Sequence, residues 1–253
     1  MALAGKVALV TGSSRNMGRA ILLAFAKAGA DVVVNGISNR EAAEKTAADA
    51  REAGARALVC VADVRDREAV DDMVAKARSE LGPIDILVNC PAPRTEVAFE
   101  SMSPQVWHEM LSVVLDGAFN CTQAVIGDML EQQNGTILNI IGLAGQTGRP
   151  HRAHISAAKT GLLGFTKGLA VEYASRGITV NAISPAFIAR ERPDREPAAA
   201  PPSGAEGGER PSAIPVGRQG RQDEVATLCC YLASTDARFI TGQNYAINGG
   251  VYI

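Results

Sequence analysis

The chain is poor in aromatic residues: six Phe, one Trp and four Tyr make up 4% of its 253 residues. The tyrosines are Tyr173, Tyr231, Tyr245 and Tyr252. Cysteine is also sparse, and Cys60, Cys90, Cys121, Cys229 and Cys230 form an odd, scattered set without metal-ligand spacing. That argues against a disulfide framework and a metal site, and it points to a reducing compartment, so a cytoplasmic location is expected. A formal charge of −2 leaves no basic footprint for nucleic acid. No uninterrupted apolar run reaches the roughly 18 residues that span a bilayer, so no membrane partner is expected. The opening Met1–Lys6 runs straight into a strand-like segment, and no signal peptide is expected. What remains is 47% hydrophobic at a mean hydropathy of +0.04. That supports a substantial core and excludes disorder over most of the length.

Two signals alternate along the first half. Short β-branched runs (Val7–Val10, Val32–Val34, Ala57–Val61, Ile84–Val88) are separated by longer Ala/Glu/Lys/Arg stretches such as Arg40–Ala53 and Asp66–Leu81. Each of those stretches is closed by a glycine, Gly54 or Gly82. Runs this apolar suit strands buried on both faces, and helices between them imply parallel crossovers. A helix over Pro104–Leu130, a strand over Gly135–Ile141, a helix over His151–Ala174, a strand over Ile178–Ile183, a helix over Asp223–Ala233 and a strand over Asn244–Ile247 continue the pattern. The prediction is an α/β fold, a doubly wound parallel sheet of about seven strands with helices on both faces, in one domain over residues 1–253. One segment interrupts it. Glu191–Ala213 is rich in Pro, Gly and charge without apolar periodicity, and a lid-like insert is expected at about 187–213.

The first strand ends in Thr11-Gly12-Ser13-Ser14-Arg15-Asn16-Met17-Gly18, and an Ala/Leu-rich helix follows. Glycines at such a turn let the backbone approach a pyrophosphate, and the helix N-terminus supplies N–H groups and a favourable dipole. The turn resembles the Thr-Gly-x-x-x-Gly-x-Gly fingerprint of the short-chain dehydrogenases/reductases, of the kind that includes 3-oxoacyl-(acyl-carrier-protein) reductases. Asp63-Val64, Asn89, Lys159, Asn181-x-x-x-Pro185, Ile214–Arg218, Thr241-Gly242-Gln243 and Asn248-Gly249-Gly250 are similar to further family segments in the same order. The resemblance covers nearly the whole chain. It implies a Rossmann fold, a nicotinamide dinucleotide, a small-molecule substrate and a homo-dimer or homo-tetramer, with a hetero-oligomer containing an active homologue as a variant of that. Gly12, Ser14, Arg15, Asn16, Met17, Gly18, Ser38, Asp63, Val64, Asn89, Lys159 and Ile188 fall at its cofactor-binding positions.

Asn16 replaces the middle glycine of the fingerprint, and Asn is the non-glycine residue most at ease at positive φ. The second strand is followed by Asn35-Gly36-Ile37-Ser38-Asn39-Arg40, without the carboxylate that grips a ribose 2′-hydroxyl. Arg15 inside the turn and Arg40 at the same edge favour a 2′-phosphate, so NADP(H) is expected. Arg40 equally fits an ordinary solvated helix start.

The family's chemistry uses a Ser and a Tyr on the carbonyl oxygen, a Lys four residues after the Tyr, and a helix Asn. Lys159 is in place, but Ile155 stands at the Tyr position, Gly142 at the Ser position and Val114 at the Asn position. None of the four tyrosines has a Lys four residues later. A general acid contributes roughly 10²–10⁴-fold, and an oxyanion donor a similar factor. Ordinary carbonyl reduction is therefore not expected. His154, beside Ile155, is the candidate replacement acid, or else a surface or subunit-contact histidine. Cys90 reads as a loop cysteine. Ala92 and Ala186 are expected to narrow the nicotinamide region while Gly142 opens it. Two functions stay open: an NADP(H)-binding enzyme of non-standard chemistry on a small hydrophobic substrate (hydride transfer to an iminium, or a cyclisation or rearrangement), and a catalytically inactive partner subunit or NADP(H) sensor.

Overall fold

A computed structural model describes residues 1–90, 95–189 and 214–253. The readings placed on Ala92, and on all of the 187–213 insert except residues 187–189, lie outside the described residues. In chain order the elements are β1 (Val7–Val10), α1 (Asn16–Lys27), β2 (Asp31–Gly36), α2 (Arg40–Glu52), β3 (Ala57–Val61), α3 (Arg67–Glu80) and β4 (Ile86–Asn89). There follow α4 (Pro104–Leu111), α5 (Gly117–Glu131), β5 (Gly135–Ile140), α6 (Ala153–Tyr173), β6 (Ile178–Pro185), α7 (Gln222–Ala233) and β7 (Asn244–Ile247). All seven strands pair in parallel, in the order β3-β2-β1-β4-β5-β6-β7. The order reverses between β1 and β4.

The inner strands β1, β4, β5 and β6 are buried on both faces, as their uninterrupted apolar runs require, whereas the edge strand β7 is half-exposed. Along β1, Ala8 and Val10 join Ile21, Leu22 and Phe25 of α1 and Val225 of α7 in one core layer. Val7 and Leu9 join Val70 and Met73 of α3 and Val125 and Met129 of α5 in the other. This alternation is the period of two that a strand imposes. A third, smaller layer of Met110, Val114, Ala118, Ile141, Ile155, Ala158 and Leu162 lies where α4, α5 and α6 meet.

Helix starts follow their sequence signals. Asn39 caps α2 by accepting from Ala42 N–H at 2.9 Å, Asp66 caps α3 by accepting from Ala69 N–H at 3.1 Å, and Ser103 caps α4. Two features depart from expectation. Ser112–Asp116, with Val114 at its centre, is a turn of π-helix between α4 and α5 rather than regular α-helix. The resulting continuous helix Pro104–Glu131 is, among the described residues, long and apolar enough by composition to cross a bilayer. Scattered apolar residues achieve this without an unbroken run. Its buried positions, Val114, Ala118, Cys121, Val125 and Met129, pack into the two core layers on this side.

Candidate cofactor and active site

Reversal of strand order between β1 and β4 opens a crevice at the C-terminal ends of the strands, the usual ligand position in such sheets. The Thr11–Gly18 turn occupies one side of it. Gly12 (φ 65°) and Asn16 (φ 51°) both adopt left-handed backbone, so the asparagine keeps the turn that the fingerprint glycine would make. Gly18 is required by packing: a Cβ there would lie 2.5 Å from the Gly12 carbonyl oxygen.

Three side chains hold the turn in place. Thr11 Oγ1 accepts from Cys90 N–H at 2.9 Å, tying the turn to the end of β4. Ser13 Oγ accepts from Asn35 N–H at 3.1 Å. Asn35 Oδ1 in turn accepts from Gly12 N–H at 3.2 Å, while its Nδ2 donates to the carbonyls of Cys60 and Ala62. Asn35 thus joins β1, β2 and β3 at the cofactor edge. This role is not directly visible in the sequence, where the position shows first as the absence of an acid. The available signal was a polar amide closing a buried Val-Val-Val strand, since buried amides need partners.

Beyond the turn, α1 begins with no side-chain cap and no acid in its first turn. An uncapped helix start behind an exposed glycine is a donor set that fits a pyrophosphate. Arg15, Ser38 and Arg40 are exposed around it. The Arg15 guanidinium makes no ion pair among the described residues, whereas Arg40 lies 3.7 Å from Glu44. Asp63, at the end of β3, is bound by Arg65 at 2.6 Å, and that hydrogen bond holds its carboxyl below the usual range. The Val64 side chain turns into the core against Gly117, where a Cβ would meet its Cγ2 at 2.6 Å. The Val64 carbonyl accepts from Asn120 Nδ2 at 3.0 Å. Asn89 Nδ2 donates to Asn139 Oδ1 at 2.9 Å, so this residue braces β4 against β5. Ile188 bridges to Gly220 and packs on the first core layer.

The catalytic positions converge on the other side. Lys159 is 8% exposed, and its Nζ donates to the Ile140 carbonyl at 2.8 Å. Burial pushes its ammonium down to about 8. Ile155 and Val114 share one apolar cluster beside it. Gly142 has φ 68° and ψ −180°, a conformation essentially restricted to glycine. Among the described residues, a Cβ there would meet only the Pro185 carbonyl oxygen, at 3.6 Å. Ala186, half-buried, donates its N–H to Ile247 O at 2.9 Å.

His154 is corrected in one respect: it is 0% exposed and so is not a surface or subunit-contact residue. Its Nε2 is engaged by the Thr95 carbonyl at 2.8 Å, and its Nδ1 is buried without a hydrogen-bond partner among the described residues. The ring therefore faces the segment after β4. Cys90 is buried, and burial pushes its thiol up to about 11, which leaves it protonated at neutral pH.

The family model described as enoyl-(acyl carrier protein) reductase matches residues 12–252. The 3-oxoacyl-[acyl-carrier-protein] reductase FabG of Staphylococcus aureus (strain Mu50) is 36% identical over 248 residues, 98% of each chain. Among solved structures, a short-chain dehydrogenase/reductase of Serratia marcescens superposes with a TM-score of 0.88 at 30% identity, covering 99% of both chains. A gluconate 5-dehydrogenase of Burkholderia cenocepacia J2315, in complex with NADP and tartrate, gives 0.87 at 32% identity over 98% of this chain and 96% of that one. Together with the seven-stranded sheet and the glycine turn at its switch point, these matches show that the chain belongs to the short-chain dehydrogenase/reductase family of oxidoreductases.

Proposed function

We propose that this chain, as one domain and as a homo-oligomer, binds NADP(H) and acts by non-standard chemistry on a small hydrophobic substrate. Its reaction is hydride transfer to a group that is already activated, such as an iminium ion, or a cyclisation or rearrangement. The carrying observation is the contrast between the two sides of the crevice. On one side the phosphate turn keeps its left-handed residues and its locking hydrogen bonds. On the other, Gly142, Ile155 and Val114 place no hydroxyl or amide side chain where the family acts on a carbonyl oxygen.

Each residue has a role in this reading. The α1 amides receive the pyrophosphate, which passes over the exposed Gly12 where no side chain obstructs it, and Arg15 meets the 2′-phosphate, with Ser38 beside it. Asp63, the Val64 backbone and Asn89 frame the adenine side and the floor. Lys159 holds the nicotinamide ribose, and Ile188 closes the nicotinamide end. When bound, the dinucleotide supplies a hydride. Reduction of a neutral ketone by that hydride leaves an alkoxide, and nothing at positions 142 and 155 can protonate or stabilise it. A cationic acceptor needs neither service. The chain is similar to a 3-oxoacyl-[acyl-carrier-protein] reductase, and for reduction of a ketone a positioned general acid is worth roughly 10²–10⁴-fold.

Titration with NADPH and NADP⁺, followed by single-turnover assays on cyclic iminium and matched ketone panels, tests the reading. Tight NADPH binding with turnover of iminium but not ketone is expected. Binding without any conversion, together with co-purification of an active homologue, would instead favour the inactive partner-subunit reading. No binding at millimolar concentration would sink both NADP(H)-dependent forms.

A further inference from the structure

Lys159 is a buried amine in an apolar corner. Its Nζ, which donates to the Ile140 carbonyl, sits beside a cluster that includes Val114, Ile141, Ile155, Ala158 and Leu162. Taking an ammonium out of water favours the neutral amine, and burial lowers this group from the ordinary 10.5 to about 8, against the opposing influence of Cys90. At pH 7 this leaves roughly one lysine in ten uncharged, about 300-fold more free amine than an unperturbed lysine supplies. Among the described residues, the Gly142 side is the one that leaves space toward it. Gly142 follows Ile140 by two residues and carries no side chain, and among the described residues only the Pro185 carbonyl would touch a Cβ placed there. Ile155, itself 8% exposed, presents hydrocarbon on the same side. Desolvated lysines in apolar pockets are the ones that attack carbonyl carbon.

We propose that Lys159 is an amine nucleophile that condenses with a hydrophobic aldehyde or ketone to form a Schiff base. The compound enters over Gly142 with its hydrocarbon body against Ile155 and its carbonyl toward Nζ. The Nζ lone pair attacks the carbonyl carbon and a C–N bond forms. The carbonyl oxygen departs as water with the two amine hydrogens, and the imine nitrogen takes a proton from solvent. No electrons are exchanged. The proposal rests on the crevice being the substrate site, and it does not require a dinucleotide to be held there.

The test is reductive trapping of the full chain with cyclohexanecarbaldehyde and sodium cyanoborohydride between pH 6 and 9.5, with adducts located by peptide mass spectrometry. Lys159 is expected to label at least 10-fold faster at pH 7 than the exposed Lys27, Lys45, Lys76 and Lys167, with a rate profile whose midpoint lies near 8. Lys159→Met should abolish that adduct and leave surface labelling unchanged, with its circular dichroism confirming the fold. Labelling of Lys159 no faster than that of the surface lysines, or a midpoint above 10, overturns the proposal. Because cyanoborohydride replaces the nicotinamide hydride, the two readings fail separately. Trapping without NADPH binding sinks the NADP(H) reading alone, and NADPH binding without trapping sinks this one alone.

Discussion

Gly142→Ala isolates the backbone at the position where the family's serine would stand. The residue sits at φ 68° and ψ −180°, held by its own N–H to Ile183 O at 3.3 Å and by Gly145 N–H to its carbonyl at 3.2 Å. Among the described residues, a methyl group there meets nothing closer than the Pro185 oxygen at 3.6 Å, so sterics with these neighbours contribute little. The cost is conformational, about 1–3 kcal/mol for a residue with a Cβ in this region. For a chain of this size that corresponds to a fall in Tm of roughly 2–12 °C. Urea denaturation of the parent, Gly142→Ala and Gly142→Ser measures it. Both variants should lose similar stability, because the strain belongs to the Cβ and not to the hydroxyl. A Gly142→Ala protein within about 0.5 kcal/mol of the parent would refute the argument, since it would mean the turn relaxes at no cost.

Three further outcomes follow from the same geometry. Asn35→Ala releases the Gly12 N–H at the exposed turn and strands the buried Cys60 and Ala62 carbonyls. At about 1–3 kcal/mol for each buried group left unpaired, it should destabilise the fold by at least about 2 kcal/mol in urea titration and weaken NADPH binding together with it. Arg15→Ala should weaken NADPH about 10-fold and NADH much less, measured by fluorescence titration, because only NADPH carries the 2′-phosphate. Lys159→Met should stabilise the protein at pH 7. The folded value, about 8, lies below the unfolded 10.5, so the unfolded chain binds more protons between them. The penalty on the parent is full below pH 8 and disappears as pH rises to 10.5. It amounts to about 3 kcal/mol, reduced by the lost hydrogen bond to Ile140, which is worth about 1 kcal/mol. Denaturation at pH 7 and pH 10 should show the gain at the first and not at the second.

The layers of this fold were legible because each strand is a short β-branched run and each crossover a longer helical one. The limits of β1, β3 and β7 follow directly from that contrast. The phosphate turn was legible for a local reason: its glycines, Asn16 and Arg15 all lie within eight residues. What could not be read depends on distant partners or on backbone angles. Asn35 gains its role from carbonyls at Cys60 and Ala62, which only strand pairing brings near. His154 is buried because the Thr95 carbonyl reaches it across 59 residues of chain. The π turn at Ser112–Asp116 escapes a reading based on helical period, since the buried residues across it, Met110, Val114 and Ala118, recur at steps of four that an α-helix also allows. Gly142 was legible as a missing hydroxyl but not as a left-handed turn.

That last distinction governs what it takes to rebuild a carbonyl-reducing site here. Gly142→Ser carries the conformational cost worked out above. Val114→Asn places an amide at a position 0% exposed among Met110, Ala118, Ile141 and Ile155. Without a designed partner it costs a further 1–3 kcal/mol or so. Ile155→Tyr sits at the 8% exposed edge of the same cluster and is the cheapest of the three. The three positions lie together, so their effects couple and do not simply add. Against a total stability of about 5–15 kcal/mol for a protein of this kind, the triple variant should lose several kcal/mol and approach its unfolding limit near 37 °C. Ile155→Tyr alone should remain folded. Measuring denaturation and ketone reduction side by side for the single, double and triple variants decides the matter. Ketone reduction by a triple variant as stable as the parent would show that the apolar corner is a superficial change to an ordinary reductase, whereas progressive loss of stability shows a site whose backbone and packing are built around the absence of the acid.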